Sequence, residues 1–309
     1  MMEGIVIKST GSWYKVKVKE NITDAKIRGK LRLKEFKTTN PIAVGDRVII
    51  EPSDNKEPAK IVEVLPRKNY IIRRASNLSK QYHIIAANID QALLVATIKE
   101  PYTSKMFIDR FLVAAESFRI PTFIVFNKCD LWEEKDVEKF VELEEIYLSA
   151  GYEIFYTSAT ERLYLEQLKS ILKNKITLLS GMSGVGKSSL INAVEPSLQL
   201  KTAKISEVHK TGKHTTTFAE MYSFSFGGYL IDTPGIRSFG LADIEKDKLS
   251  HYFPEMRKYM RQCKFNNCLH INEPGCAVKE AVANGKISES RYVNYLEMYY
   301  DENEKYRKP

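Results

Sequence analysis

Gly181-Met182-Ser183-Gly184-Val185-Gly186-Lys187-Ser188 restricts this chain more than any other feature. It spells G-x-x-x-x-G-K-[ST] between an apolar run, Ile176–Leu179, and a helical pattern opening at Ser189. Such a loop works only where it leaves a strand and enters a helix. Backbone N–H groups then ring a phosphate, and the positive end of the helix dipole points at it. Lys187 is placed to reach the β- and γ-phosphates and Ser188 to ligate Mg²⁺. The loop therefore demands an α/β layer, and the flanking sequence supplies one. From about Asn88, apolar strands at Ala92–Thr97, Thr122–Phe126, Glu153–Thr157 and Ile176–Leu179 alternate with helical patterns at Phe107–Phe118, Glu133–Leu148 and Leu163–Leu172. That alternation argues for a mostly parallel sheet with helices on both faces.

A phosphate loop does not choose between ATP and GTP. Asn127-Lys128-Cys129-Asp130, at the end of the strand Thr122–Phe126, resembles the guanine-specificity motif of GTPases. An ionised carboxylate only accepts, so Asp130 suits the ring N–H and exocyclic amine of guanine, whereas adenine presents an unprotonated ring nitrogen there. By the same resemblance Asn127 contacts the base and tethers the phosphate loop, and the Lys128 stem covers the base plane. Thr157-Ser158-Ala159 resembles the companion motif whose backbone N–H meets the guanine oxygen. The expected GTP contacts are thus Asn127–Asp130, including Cys129, with Ser158, Ala159 and Gly181–Ser189.

Asp232-Thr-Pro-Gly235 follows the strand Tyr229–Ile231 and resembles the D-x-x-G element, with Asp232 acting on Mg²⁺ through water and the Gly235 N–H sensing the γ-phosphate. Between it and the phosphate loop lies Lys210-Thr-Gly-Lys-His-Thr-Thr-Thr217. One of Thr215, Thr216 and Thr217 completes the Mg²⁺ shell, and the sequence does not choose among them. Ile236 stands where many GTPases carry a water-orienting glutamine, which an aliphatic group cannot replace. His214 is the candidate for positioning the attacking water, the competing reading being a solvated loop residue. The order is decisive: Asn127–Asp130 and Ser158 precede Gly181–Ser188, whereas in an ordinary GTPase the phosphate loop leads. The domain is circularly permuted, which a sheet with close termini tolerates.

With 309 residues the chain has room for more than this domain. Strands are expected at 3–7, 12–19, 26–33, 45–51 and 59–65, where Tyr14, Val16 and Val18 alternate with Lys15, Lys17 and Lys19. Five strands joined by turn residues fit an oligonucleotide/oligosaccharide-binding (OB) β-barrel over residues 1–70. Arg67–His83 shows no clear element, and 71–87 reads as a basic linker before the GTPase domain at 88–245. Residues 1–82 hold 18 basic and 9 acidic side chains, a net of +9 within a chain net of +8. A basic surface spread evenly for solubility predicts no such segregation, so the N-terminal unit is expected to meet a polyanion such as RNA. No apolar run is long enough to cross a membrane, and Met1–Thr10 does not resemble a signal peptide, so a cytoplasmic protein without a membrane partner is expected.

Residues 246–309 form a third, helical unit. Cys263, Cys268, His270 and Cys276 read C-x₄-C-x-H-x₅-C, three thiolates and an imidazole suited to a closed, structural Zn²⁺ site. A disulfide would strand one cysteine. Tyr292, Tyr295, Leu296, Tyr299 and Tyr300 recur at near-helical spacing, which fits packing against this unit, with base stacking on RNA as the alternative.

The basic OB-like barrel, the permuted GTPase with G-K-H-T-T-T and D-T-P-G-I-R, and C-x₄-C-x-H-x₅-C together closely resemble the ribosome small subunit-dependent GTPase A (RsgA) family over nearly the whole chain. The resemblance implies a factor that binds the small ribosomal subunit and its 16S rRNA late in maturation. It further implies faster GTP hydrolysis on the subunit, departure afterwards, a monomer, and room for other assembly factors. The reading from another class is an RNA-binding assembly scaffold whose nucleotide only stabilises the fold.

Overall fold

The alternation of apolar and cationic residues near the N-terminus closes into a barrel. A computed structural model describes residues 1–28, 41–53, 57–74, 82–200, 219–232 and 244–301. Strands β1 (Met2–Ser9), β2 (Tyr14–Val18), β3 (Asn21–Ile27), β4 (Arg47–Glu51) and β5 (Ala59–Val64) run in the order β1-β2-β3-β5-β4, and β4 returns to β1. Only the β3–β5 pair is parallel, as in an OB barrel. Tyr14, Val16 and Val18 point into a core with Val6, Ile50 and Ile61, while Lys15 faces solvent.

Two expectations need correction. The third strand occupies Asn21–Ile27, not 26–33, because Lys19 adopts a left-handed conformation (φ 53°) and reverses the chain directly after β2, pairing Val18 with Asn21. The segment read as a linker contains β6 (Tyr70–Arg74) and β7 (Tyr82–Ala87), paired antiparallel. Ile71 and Ala86 are buried in the same core as Ile89, Ala92 and Leu94, so apolar burial holds this hairpin against the sheet that follows.

That sheet is built from β8 (Gln91–Ala96), α1 (Lys105–Ser117), β9 (Thr122–Phe126), α2 (Glu134–Ala150), β10 (Glu153–Tyr156), α3 (Leu165–Leu172), β11 (Ile176–Ser180), α4 (Lys187–Val194), β12 (Glu220–Ser223) and β13 (Tyr229–Asp232). The order is β10-β9-β8-β11-β13-β12, parallel throughout except β12. β8 lies near the centre with all six side chains buried, as a strand covered on both faces requires. α1 and α2 cover one face through Ile108, Leu112, Phe140 and Tyr147; α3 and α4 cover the other through Leu168, Leu172, Leu190 and Ile191. β12 also meets the barrel, Glu220 pairing with Lys8 of β1 and accepting from its Nζ at 3.0 Å.

The C-terminal unit comprises α5 (Pro254–Met260), α6 (Ala277–Ala283) and α7 (Glu289–Tyr300) with a 3-10 segment at Lys246–Tyr252. Its core of Leu249, Phe253, Met256, Tyr295 and Met298 includes Val113 of α1, so it is docked on the GTPase domain. Beside this core, Arg291 of α7 bonds Asp109 of α1 (2.6 Å) and both oxygens of Glu255 of α5 (2.7 and 3.1 Å), all three residues being buried.

Candidate nucleotide site and metal centre

Because β9, β10, β11 and β13 are parallel, their C-terminal ends deliver Asn127, Ser158, Gly181 and Asp232 to one edge of the sheet, where open α/β sheets hold ligands. Asn127 is 1% exposed and joins three loops. Its Nδ2 donates to the Val185 carbonyl at 2.9 Å, and its Oδ1 accepts from Ala159 N at 3.2 Å and Thr157 Oγ1 at 3.4 Å. The glycines of the phosphate loop answer to this crowding. A Cβ on Gly186 (φ 91°) would lie 2.4 Å from Asn127 Nδ2, and one on Gly181 (φ 140°) would lie 2.2 Å from the Val95 carbonyl oxygen.

Val185 is buried in the core beneath α3 and α4, while Met182, Ser183 and Gly184 complete the loop. Lys187 Nζ folds back across it and donates to the Gly181 and Met182 carbonyls, each at 2.8 Å. Ser188 and Ser189 lie in the first turn of α4, whose leading N–H groups have no partner within the helix. Burial pushes the Asp232 carboxyl above the ordinary carboxylate range, and the Lys187 charge pulls it back, so the two groups face each other electrostatically.

On the other side of Asn127, Asp130 is exposed and its Oδ1 accepts from Ser158 Oγ at 2.5 Å. Ser158 Oγ in turn accepts from Glu161 N at 3.0 Å. Cys129 is half-buried, and burial, then Asp130, pushes its thiol up. Lys128 adopts a left-handed conformation (φ 68°), and its Nζ donates to the Glu100 carbonyl at 2.5 Å. Nothing in the sequence announces that contact, because a main-chain carbonyl has no residue signature. His214, Thr215, Thr216, Thr217 and Gly235 lie outside the described residues.

The structure gathers Cys263, Cys268, His270 and Cys276 so that their ligand atoms lie within 4.8 Å of one another. His270 Nδ1 is 3.4 Å from Cys276 Sγ and 3.6 Å from Cys263 Sγ, near the roughly 3.5 Å edge of a tetrahedron with zinc–nitrogen and zinc–sulfur bonds. The Cys276 sulfur also accepts from Lys279 N at 3.5 Å while capping α6. Glu273 draws in the N–H groups of Leu269, Ile271 and Asn272, and Tyr292 and Tyr295 donate to the His270 and Leu269 carbonyls. The tyrosines of α7 therefore buttress the loop that presents His270, and the set is compatible with a tetrahedral zinc site.

The family profile described as RsgA GTPase matches residues 64–242, more than half of the chain, and the RsgA N-terminal domain profile matches residues 3–59. The chain belongs to the RsgA GTPase family. It is a GTP hydrolase with a circularly permuted GTPase domain. A curated RsgA relative from Phocaeicola vulgatus, named a small ribosomal subunit biogenesis GTPase, is 53% identical, with 99% of both chains covered. One of the same name from Flavobacterium psychrophilum is 52% identical over 99% of this chain and 95% of its own. The crystal structure of YjeQ from Thermotoga maritima superposes with a TM-score of 0.80 at 44% identity, over 97% of this chain and 98% of the other. YloQ, described as a circularly permuted GTPase, superposes with a TM-score of 0.77 at 32% identity, over 100% of this chain and 96% of the other. Among the described residues no helix is long and apolar enough to cross a membrane.

Proposed function

We propose that GTP hydrolysis by this chain serves late maturation of the small ribosomal subunit, with subunit-stimulated turnover in the cytoplasm. The observation that carries this is the naming of relatives more than 50% identical across essentially the full chain. Asp130 and Asn127 read guanine, with Ser158 and Ala159 at its oxygen and the Lys128 stem along its plane. Gly181–Ser189 cradles the phosphates, Ser188 and Asp232 hold Mg²⁺ with one of Thr215, Thr216 and Thr217, the Gly235 N–H senses the γ-phosphate, and His214 positions the attacking water. The cysteines and His270 hold one structural zinc. Residues 1–82, the barrel (1–70) and the basic stretch after it, carry the excess positive charge to 16S rRNA, the GTPase domain spans 88–245, and 246–309 forms the zinc unit; the protein acts as a monomer, with other assembly factors as further partners. Bound phosphates release counterions, so subunit binding weakens steeply with salt.

The test is GTP turnover with and without purified small subunits. Subunits raise turnover of the wild type, and Lys187→Ala removes about 100-fold or more of the stimulated rate. If subunits leave turnover unchanged, the reading fails, and the scaffold reading takes its place if the subunits still bind.

A further inference from the structure

The loop between β8 and α1 is not part of any nucleotide motif, yet it receives the side chain of one. Lys128 Nζ ends on the Glu100 carbonyl at 2.5 Å. Its stem runs beside the phosphate loop, since a Cβ on Gly186 would lie 3.9 Å from Lys128 Cε. A lysine stem held at both ends has fewer rotamers to lose when it packs along a flat surface than one whose ammonium is free. Asn127 and the left-handed backbone of Lys128 fix the near end; the Glu100 carbonyl is the far anchor.

Two side chains hold the loop on either side of that carbonyl. Thr103 is 1% exposed; its Oγ1 accepts from Thr97 N at 3.0 Å and its N–H donates to the Thr97 carbonyl at 3.0 Å, closing the loop on the end of β8. Lys99, one residue before Glu100, reaches Asp136 at 2.8 Å and Glu133 at 3.3 Å, both at the start of α2. Asp136 is itself buried and also accepts from the Glu133 N–H, closing the capping box of that helix. The hydrogen bond from Lys99 holds the Asp136 carboxyl down to about 2, so the anchor is charged on both sides throughout the neutral range.

We propose that Lys99 and Thr103 are positioning residues for guanine recognition, fixing the carbonyl that holds the Lys128 ammonium and so laying its stem along the base. This rests on the reading of Asn127–Asp130 as the guanine site. The lysine is a ground-state contact to the base, remote from the γ-phosphate, so loosening it weakens substrate and product alike and leaves the chemical step alone.

The experiment measures GDP and ADP affinity, and GTP turnover, in full-length Lys99→Met and Thr103→Val, with Lys99→Arg and Thr103→Ser as conservative partners. The expected result in the first pair is a loss of GDP affinity and a rise in KM of about 5–10-fold each, kcat at saturating GTP unchanged, and a smaller GDP/ADP preference. Arginine and serine restore all three to within about 2-fold, which a general structural defect would not allow. Unchanged GDP affinity in both Lys99→Met and Thr103→Val overturns the proposal, as does a fall in kcat at constant KM or a failure of both conservative partners. Asp130→Ala, run alongside, separates this from the underlying reading: if it keeps full GDP affinity, the guanine site itself is misassigned. If it loses GDP while Lys99→Met and Thr103→Val do not, only the positioning role falls.

Discussion

Replacing Arg291 with methionine should loosen the C-terminal unit from the GTPase domain, and the structure sets the size of the effect. Arg291, Asp109 and Glu255 are 1%, 1% and 3% exposed, and the guanidinium donates three hydrogen bonds to the two carboxylates. Phe253 stacks beneath it at 4.9 Å, so methionine fills much of the same apolar volume. What Arg291→Met cannot supply is charge. Two carboxylates are left buried with no cation beside them, Asp109 keeping neutral neighbours such as Asn294, and such a break costs about 3–5 kcal/mol. In a chain of this size that is an apparent melting shift of roughly 10 °C.

The pH dependence has a definite sign. Burial already pushes Asp109 upward against the pull of Arg291, and removing that pull raises it further. The native variant then binds a proton that the unfolded chain has released. The contribution of this carboxyl to the variant's stability is therefore greatest at low pH and falls as pH rises above the unfolded-state value, by up to about 1.4 kcal/mol per unit for one proton. Thermal unfolding followed by circular dichroism at pH 5 and pH 8 reads both effects, the deficit of Arg291→Met being larger at pH 8. The triple variant Arg291→Met, Asp109→Asn, Glu255→Gln removes every charge together and should recover most of the loss. A single variant within about 2 °C of wild type at pH 8, or a triple variant as unstable as the single, would refute the argument.

Gly186→Ala places a Cβ 2.4 Å from the buried Asn127 amide at a left-handed backbone, so GTP binding should fall at least about 10-fold while far-UV dichroism stays native; unchanged affinity would mean that the two loops separate freely. Metal analysis of protein purified without chelator should find one zinc per chain, and Cys276→Ser, which weakens both the metal set and the α6 cap, should lower that stoichiometry and the melting point. The Asp136 carboxyl lies at about 2 against an ordinary 3.8, so its contribution to stability is present above pH 4 and drains away as pH falls toward 2. The melting-point gap between wild type and Asp136→Asn should therefore narrow over that interval, and a constant gap would show that Lys99 does not hold the charge.

What could be seen in the sequence was whatever is encoded locally. The phosphate loop, the guanine motif and the metal ligands each lie within one short segment, and the five parallel strands announce themselves by continuous apolar runs. The hairpin β6–β7 escaped because its buried residues, Ile71, Ile84 and Ala86, are interrupted by Arg73, Arg74 and Lys80, so the segment reads as charged although its apolar positions serve the core. The short strand Glu220–Ser223 has one buried side chain, Met221, and no period to detect. Arg291 stands among tyrosines with no cue that its partners lie 36 and 182 residues away, since that pairing exists only once three helices have packed.

The register of the sheet shows where strain at the nucleotide site can go. Leu179, two residues before Gly181, pairs with Asp232; Asp232 pairs with Glu220; and Glu220 pairs with Lys8 of the barrel. At about 4.8 Å per strand, the candidate Mg²⁺ ligand lies only some 10 Å from the barrel wall along one ladder. Chain connectivity adds a second route, because residues 201–218 enter that ladder at β12 and residues 233–243 leave it for the C-terminal unit. The two exits differ in kind. Toward the barrel the β12–β1 link is one bridged pair and a Lys8–Glu220 ion pair whose side chains are 38% and 39% exposed, worth at most about 1 kcal/mol, but the barrel is also tied through buried Val44, which shares a core with Ala86, Ile89 and Leu94 and whose carbonyl accepts from Ala87 N at 2.8 Å. Toward the C-terminal unit the link is the buried Arg291 network and a shared apolar core, the network alone being several times costlier to break than the Lys8–Glu220 pair. Along that ladder the β12–β1 seam is the weakest single link, whereas the zinc unit is held to α1 by buried charge and apolar packing. Both neighbours of the GTPase domain are therefore tied to its core, the barrel through Val44 and the β6–β7 pair, the zinc unit through Val113 and Arg291.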